Sequence, residues 1–179
     1  MVCMQSFKIL KFYDSPSHQV IEEISKLFST TPYYIQSSSN IFLIKFEVEE
    51  LLNNEKKIKY QSNKFSFLIM TNYKFEALIK FQAKYNIQEI IDATFQFQEN
   101  GNEVSEELTD DWYQLLIDQQ FTKLNFKLKE YKCIIQDIKF LINDDNVTID
   151  QYGDFYINDV GNCYIPKLAQ FLLEGSNNE

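Results

Sequence analysis

The sequence predicts an α+β chain made of two successive helix–hairpin units closed by a C-terminal helix. Three observations lead there. Apolar residues recur at helical spacing in both halves, and each half then passes into short alternating apolar runs around a polar turn. In addition, Ile58 and Val147, Tyr60 and Ile149, and Phe67 and Tyr156 share one offset of 89 residues, so the element order is used twice. With 179 residues, 45% of them hydrophobic and 16% aromatic, the chain has material for one large core or two small ones. Only 4 Gly and 3 Pro occur, which argues against glycine-rich phosphate loops and many-turned sandwiches and favours helices with a few hairpins.

Residues 1–16 form an N-terminal segment, and the first unit spans 17–72. Its "SPSHQVIEEISKLFST" sets Val20, Ile24, Leu27 and Phe28 on one side of a first helix. "TPYYIQSSS" is a loop or short strand. "NIFLIKFEVEELLNN" reads as a second, longer helix through Phe42, Phe46 and Leu52, although "IFLIKFEV" by itself also fits a strand. "KKIKYQSNKFSFLIM" then alternates Ile58, Tyr60, a polar turn, Phe65, Phe67 and Ile69, a β-hairpin.

The second unit spans 73–160. "YKFEALIKFQAKYN" is a helix, and "IQEIIDATFQFQ" is either a helix to about Ala93 or a strand, followed by an acidic insertion near 99–107. "TDDWYQLLIDQQF" starts a helix with Thr109 as N-cap and Asp110 and Asp111 in the first turn, where the helix dipole favours anions. "KLKEYKCIIQDIKFLINDD" places Leu128, Tyr131, Ile135, Ile138 and Ile142 at steps of 3 and 4 and so predicts one long helix containing Cys133. The alternating "NDDNVTIDQYGDFYIND" after it forms a hairpin about Tyr152-Gly153. Residues 161–179 hold a final amphipathic helix, with Pro166 in its first turn and Gly175 at its end, and a tail. Helix, helix and closing hairpin in each half define two tandem winged-helix domains, each a helix-turn-helix plus a β-hairpin wing.

Charge narrows the function. The net charge is −9, and all 17 basic residues are lysine. Duplex reading relies on phosphate neutralisation and commonly on arginine paired bidentately with guanine, so direct DNA binding is expected to be weak or absent. No Gly-x-Gly-x-x-Gly or Gly-Lys-Ser/Thr cradle is present, nor HExxH or CxxC, and His18 is the sole histidine. No metal, cofactor or catalytic residue is assigned, and the chain reads as a non-enzyme. Cys3, Cys133 and Cys163 are widely spaced and read as reduced thiols. No apolar run approaches the ~20 residues that cross a bilayer, so no membrane contact is expected.

Two groups of candidate contact residues emerge. Lys129, Lys132, Gln136 and Lys139 fall on one face of the predicted long helix, which in a winged helix is the element offered to a groove. Either they meet a partner or nucleic acid, or they are a solvated face offsetting neighbouring acids. Asp144, Asp145, Asp150 and Asp154 on the wing would repel phosphate and suit docking to a basic protein surface.

The stretch "WYQLLIDQQFTKLNFKLKEYKCIIQDIKFLINDDNVTIDQYGDFYI" resembles the second winged helix of the middle (S) subunit of the telomeric CST complex, a relative of the middle subunit of replication protein A. It offers a helix, a Leu124-Asn125-Phe126 link, a long helix ending in an acidic Leu-Ile-x-Asp-Asp, and an aromatic hairpin. "FEVEELLNNEKKIKYQSNKFSFLIMTNYKFEALIKF" is similar to the end of that family's first winged helix passing into the next unit. The family carries an OB-fold barrel ahead of these domains, and no glycine-punctuated five-strand pattern precedes Ser17. The resemblance implies that the barrel lies upstream in a longer protein or has been lost. It further implies a nuclear, telomeric protein that works beside OB-fold subunits and docks telomerase or DNA polymerase α–primase for complementary-strand synthesis. Two other readings share the fold: an ESCRT-II-like tandem winged-helix connector, for which the Pro-Pro-Phe-Phe-type anchor is missing near the N-terminus, and a transcription-factor winged helix touching DNA through Lys129, Lys132 and Lys139.

Overall fold

The computed structural model describes residues 5–28, 33–36, 40–46, 63–157 and 164–174. These form a mixed α+β chain with five α-helices and eight strands, and every strand pairing whose register is defined is antiparallel. The chain divides into two compact units. The first is Met1–Leu68 with Gly153–Glu179, and the second is Ile69–Tyr152.

The first unit is organised by β1 (Gln5–Phe12), which lies in the segment the sequence reading set apart as residues 1–16. Its buried run from Phe7 to Leu10 marks a strand covered on both faces, which hides the alternation that announces a half-buried strand. One side of β1 pairs with β3 (Ile41–Lys45), which in turn pairs with β2 (Tyr33–Gln36). Two short strands share its other side end to end. β8 (Asp154–Ile157) faces residues 5–8, and β4 (Phe65–Phe67) faces residues 10–12.

Helix α1 (His18–Leu27) begins where the Ser17 hydroxyl accepts the Val20 amide at 3.4 Å. It buries Ile24, Leu27 and Phe28 against Leu10, Phe12, Phe42, Ile44, Phe46 and Phe65. The rings of Phe12 and Phe42 meet edge-on, with centroids 5.1 Å apart. Helix α5 (Tyr164–Glu174) lies against β2 and buries Leu168, Ala169 and Leu172. It therefore belongs to this unit, where the sequence reading placed it after the second.

Residues 41–45, expected within a helix, are the strand β3. Ile41, Phe42, Leu43 and Ile44 are all buried, and a four-residue apolar block suits a covered strand as well as it suits a helix. The rest of that expected helix and the first hairpin's Ile58 and Tyr60 lie outside the described residues.

The second unit runs α2 (Asn72–Lys80), a 3-10 turn (Gln82–Tyr85), β5 (Ile87–Phe97), α3 (Glu106–Ile117), α4 (Phe121–Glu130), β6 (Cys133–Ile142) and β7 (Asp145–Asp150). Its strands stand in the order β7-β6-β5, which resolves "IQEIIDATFQFQ" as a strand. α3 starts at Ser105 rather than Thr109. Thr109 lies inside the helix, and Glu106 and Glu107 occupy the first turn expected for Asp110 and Asp111.

The expected long helix over 127–145 does not form. α4 ends at Glu130, and Cys133, expected inside the helix, opens β6. The pairing of β5 with β6 slips at Gln136, where Thr94 faces Asp137 and Phe95 faces Ile135. That bulge adds one residue between Ile135 and Ile138, so the buried positions 133, 135, 138, 140 and 142 include a three-residue step that imitates a helix. Ile134, Ile135, Ile138 and Ile142 are β-branched and favour the pleated surface. The hairpin after α4 is therefore β6–β7, turning at Asn143 and Asp144, both left-handed with φ of 51° and 65°. Asp154–Ile157, expected as the wing's second strand, pairs with β1 in the first unit.

Candidate functional site

Within the second unit, α3, α4 and the β6–β7 hairpin follow one another with two tight turns. Asp118–Gln120 joins the helices. Gln119 takes a φ of 55°, the Asp118 and Gln120 amides donate to the Gln114 and Leu115 carbonyls at 2.9 Å, and Asp118 accepts the Gln114 side-chain amide at 2.9 Å. Helix α4 then lies against α3 and buries Leu124 and Leu128, as α3 buries Trp112 and Leu116. Trp112 meets Phe95 edge-on at 5.4 Å and Tyr131 at 5.5 Å. The Tyr113 hydroxyl donates to the Ile90 carbonyl at 2.7 Å and fixes α3 on β5. Burial, then the charges of Asp92 and Glu89, hold that phenol above its ordinary range.

The four residues expected on one helix face occupy three settings. Lys129 is on α4, exposed, and makes no ion pair among the described residues. Lys132, at a φ of 53°, turns the chain out of α4 and pairs with Glu99. Gln136 is the bulged residue of β6, its carbonyl accepting the Gln151 amide at 2.7 Å and its buried Oε1 lacking a hydrogen-bond partner among the described residues. Lys139 is half-buried on β6, across from Asp92 on β5 and Thr148 on β7. A strand projects side chains with a period of two and a helix with 3.6, so the predicted common face disappears with the helix.

Of the four wing aspartates, three stay on the β6–β7 hairpin and Asp154 leaves it. Asp144 exchanges hydrogen bonds with Gln88, through its carboxylate at 3.2 Å and its amide at 3.0 Å. Asp145 begins β7, and Asp150 accepts the Tyr152 amide at 2.9 Å. Asp154 belongs to the first unit, where it is buried against Lys8 and is closed to a docking partner.

Two features of this region escaped the sequence reading. Phe126 is 67% exposed, the most open large apolar side chain among the described residues. The signal was present, because residue 126 lies two positions from both Leu124 and Leu128 and so opposes them on a helix. The second is a cleft of about 600 Å³ walled by Asn72, Gln98, Glu99, Asn125, Lys129 and Lys132, with Leu128 and Cys133 also lining it. Burial raises the Cys133 thiol above its usual range, and its sulfur lies 3.4 Å from the Tyr131 carbonyl, so it is a poor nucleophile.

Two acids, Asp137 and Asp150, stand in register across β6 and β7. Asp137 faces Thr94 on one side and Asp150 on the other, and burial, with Asp150, Asp92 and Glu103 nearby, raises its carboxyl against a lowering hydrogen bond from Thr94. Among the described residues no group of three His, Cys, Asp or Glu side chains is placed to hold a metal ion, and no helix is long and apolar enough to cross a membrane. His18 is exposed, 3.3 Å from Glu22 one turn on. No family model, curated protein or solved structure matches the chain.

Proposed function

We propose that the chain is a non-enzymatic docking module, the tandem winged-helix part of a CST-type complex that binds telomeric single-stranded DNA through OB folds supplied elsewhere. In this role it engages telomerase or DNA polymerase α–primase so that the complementary strand is filled in, and it acts in the nucleus at telomeres. The observation that carries the reading is the succession α3, three-residue turn, α4, β6–β7 hairpin in the second unit, which we read as a helix-turn-helix followed by a wing. The tandem form rests on the 89-residue offset, which carries α1 onto α3, although the same offset sets β2 and the start of β3 where α4 stands in the second unit.

Charge supports protein docking over DNA capture. The chain carries −9, and the hairpin's Asp144, Asp145 and Asp150 stand where a DNA-reading wing would approach phosphates. Affinity purification of the tagged chain from nuclear and from membrane fractions, with partners identified by mass spectrometry, tests the reading. Recovery of telomerase, polymerase α–primase or OB-fold single-strand-binding subunits is expected. Recovery of endosomal sorting subunits instead would keep the fold and overturn the function.

A further inference from the structure

We infer that the outward face of α4, with Phe126 as apolar anchor and Lys129 and Lys123 as its charges, docks an acidic segment of a partner protein that carries an apolar side chain. The inference deepens the docking reading by assigning it a face and a partner chemistry.

Three observations meet on this face. With Leu124 and Leu128 committed to the core, helical geometry directs Phe126 to the opposite side, where it is 67% exposed. A large apolar side chain on a helix, flanked by cations one turn to either side, is a geometry that can seat in a partner's pocket. Second, α4 reverses the sign of the chain: Lys123, Lys127 and Lys129 stand against the single acid Glu130 in a protein of net charge −9. Lys127 is taken by Glu130 at 3.3 Å, while Lys123 bonds only the neutral Gln120 side chain at 2.7 Å and Lys129 has no ion-pair partner among the described residues. Third, the cleft beside Lys129 already receives carboxylates from this chain, Glu99 on Lys132 and Glu76 on Asn125. Among the described residues, Lys129 is the cation of that wall without an ion-pair partner and so can meet a carboxylate from outside.

Charge complementarity selects a peptide rather than a nucleic acid. A phosphate strand needs a succession of cations, and Glu76, Glu99 and Glu130 interrupt the lysines here. An acidic segment needs one or two carboxylate contacts and a single apolar insertion, which this face supplies.

The test is fluorescence anisotropy of the full chain against a labelled peptide of about a dozen residues, rich in Asp and Glu with Leu and Phe at helical spacing. Controls are the same peptide with Lys for its acids and a labelled oligothymidylate. Saturable binding of the acidic peptide is expected, weakened by salt, reduced about tenfold or more by Lys129→Glu with Phe126→Ala, and unmoved by Lys139→Gln on β6. Both substituted positions are exposed, so unchanged melting curves identify folded variants, and Lys129→Ala alone provides a milder second variant. Equal binding by parent and double variant, or preference for the oligothymidylate, overturns the inference. If telomeric partners are recovered equally by parent and double variant, the proposed function stands and this face is discarded.

Discussion

Lys8 and Asp154 lie directly opposite each other on β1 and β8 and form an ion pair that is almost fully buried, the two residues being 8% and 6% exposed. The ammonium also sits 5.2 Å from the Phe46 ring centroid and 5.3 Å from that of Phe67, so aromatic faces supply part of the solvation that water would give. The pair joins residues 146 apart in sequence within the first unit. Removing one partner strands the other charge in the core. Lys8→Met is expected to lower stability by about 3 to 5 kcal/mol in urea melts, and adding Asp154→Leu should restore most of the loss.

Val147 is fully buried on β7, opposite Phe140 of β6. Val147→Asp places an unpaired carboxylate in the buried face of the sheet beside Phe140 and is expected to unfold the second unit, at a cost of roughly 3 kcal/mol or more. Circular dichroism melting reads this directly. A variant that melts like the parent would show that Val147 does not anchor the hairpin.

At Gly153 the chain enters β8 with a φ of 72°, and a Cβ there would run into the backbone carbonyl of Leu68. Strain and collision act together, so Gly153→Ala should cost more than the ~1 kcal/mol typical of a change in backbone freedom alone. The first unit's melting transition is the measurement.

Asp137 gives stability a pH dependence. Its folded-state pKa is raised by burial and by Asp150, Asp92 and Glu103, so the native state holds the proton more tightly than the unfolded chain. That contribution is complete below the ordinary aspartate value of about 4 and is lost as pH rises through the raised value. Asp137→Asn keeps a partner for Thr94 and removes the like-charge contact. It should stabilise at neutral pH by on the order of 0.5 kcal/mol in this partly solvated setting, with the gain fading as pH falls toward about 4. Thermal melts of both proteins across that range check the sign.

What the sequence made legible were elements whose signals are local. Ser17 and the spacing of Ile24, Leu27 and Phe28 define α1, and the apolar face of "YKFEALIKF" defines α2. The covered strands were harder to read. In β1 and β3, burial on both faces removes alternation, and in β6 a bulge at Gln136 substitutes a three-residue step for it. The candidate face inherited that error, because Lys129 and Lys139 share a side only if residues 129–139 are one helix. Asp154 could not be recognised as buried, since its partner Lys8 is supplied from the far end of the sequence by sheet pairing. Phe126 could have been found from its two-residue distance to Leu124 and Leu128, had Leu124-Asn125-Phe126 been read as part of a helix starting at Phe121 rather than as a link.

The central claim is a docking role in telomeric complementary-strand synthesis, and the most direct measurement is the length of the telomeric single-stranded overhang after depletion of this chain from cells that express it. The account predicts overhangs that lengthen as fill-in fails, and that return to normal with the parent chain but not with the Lys129→Glu, Phe126→Ala double variant. Overhangs unchanged by depletion would contradict it.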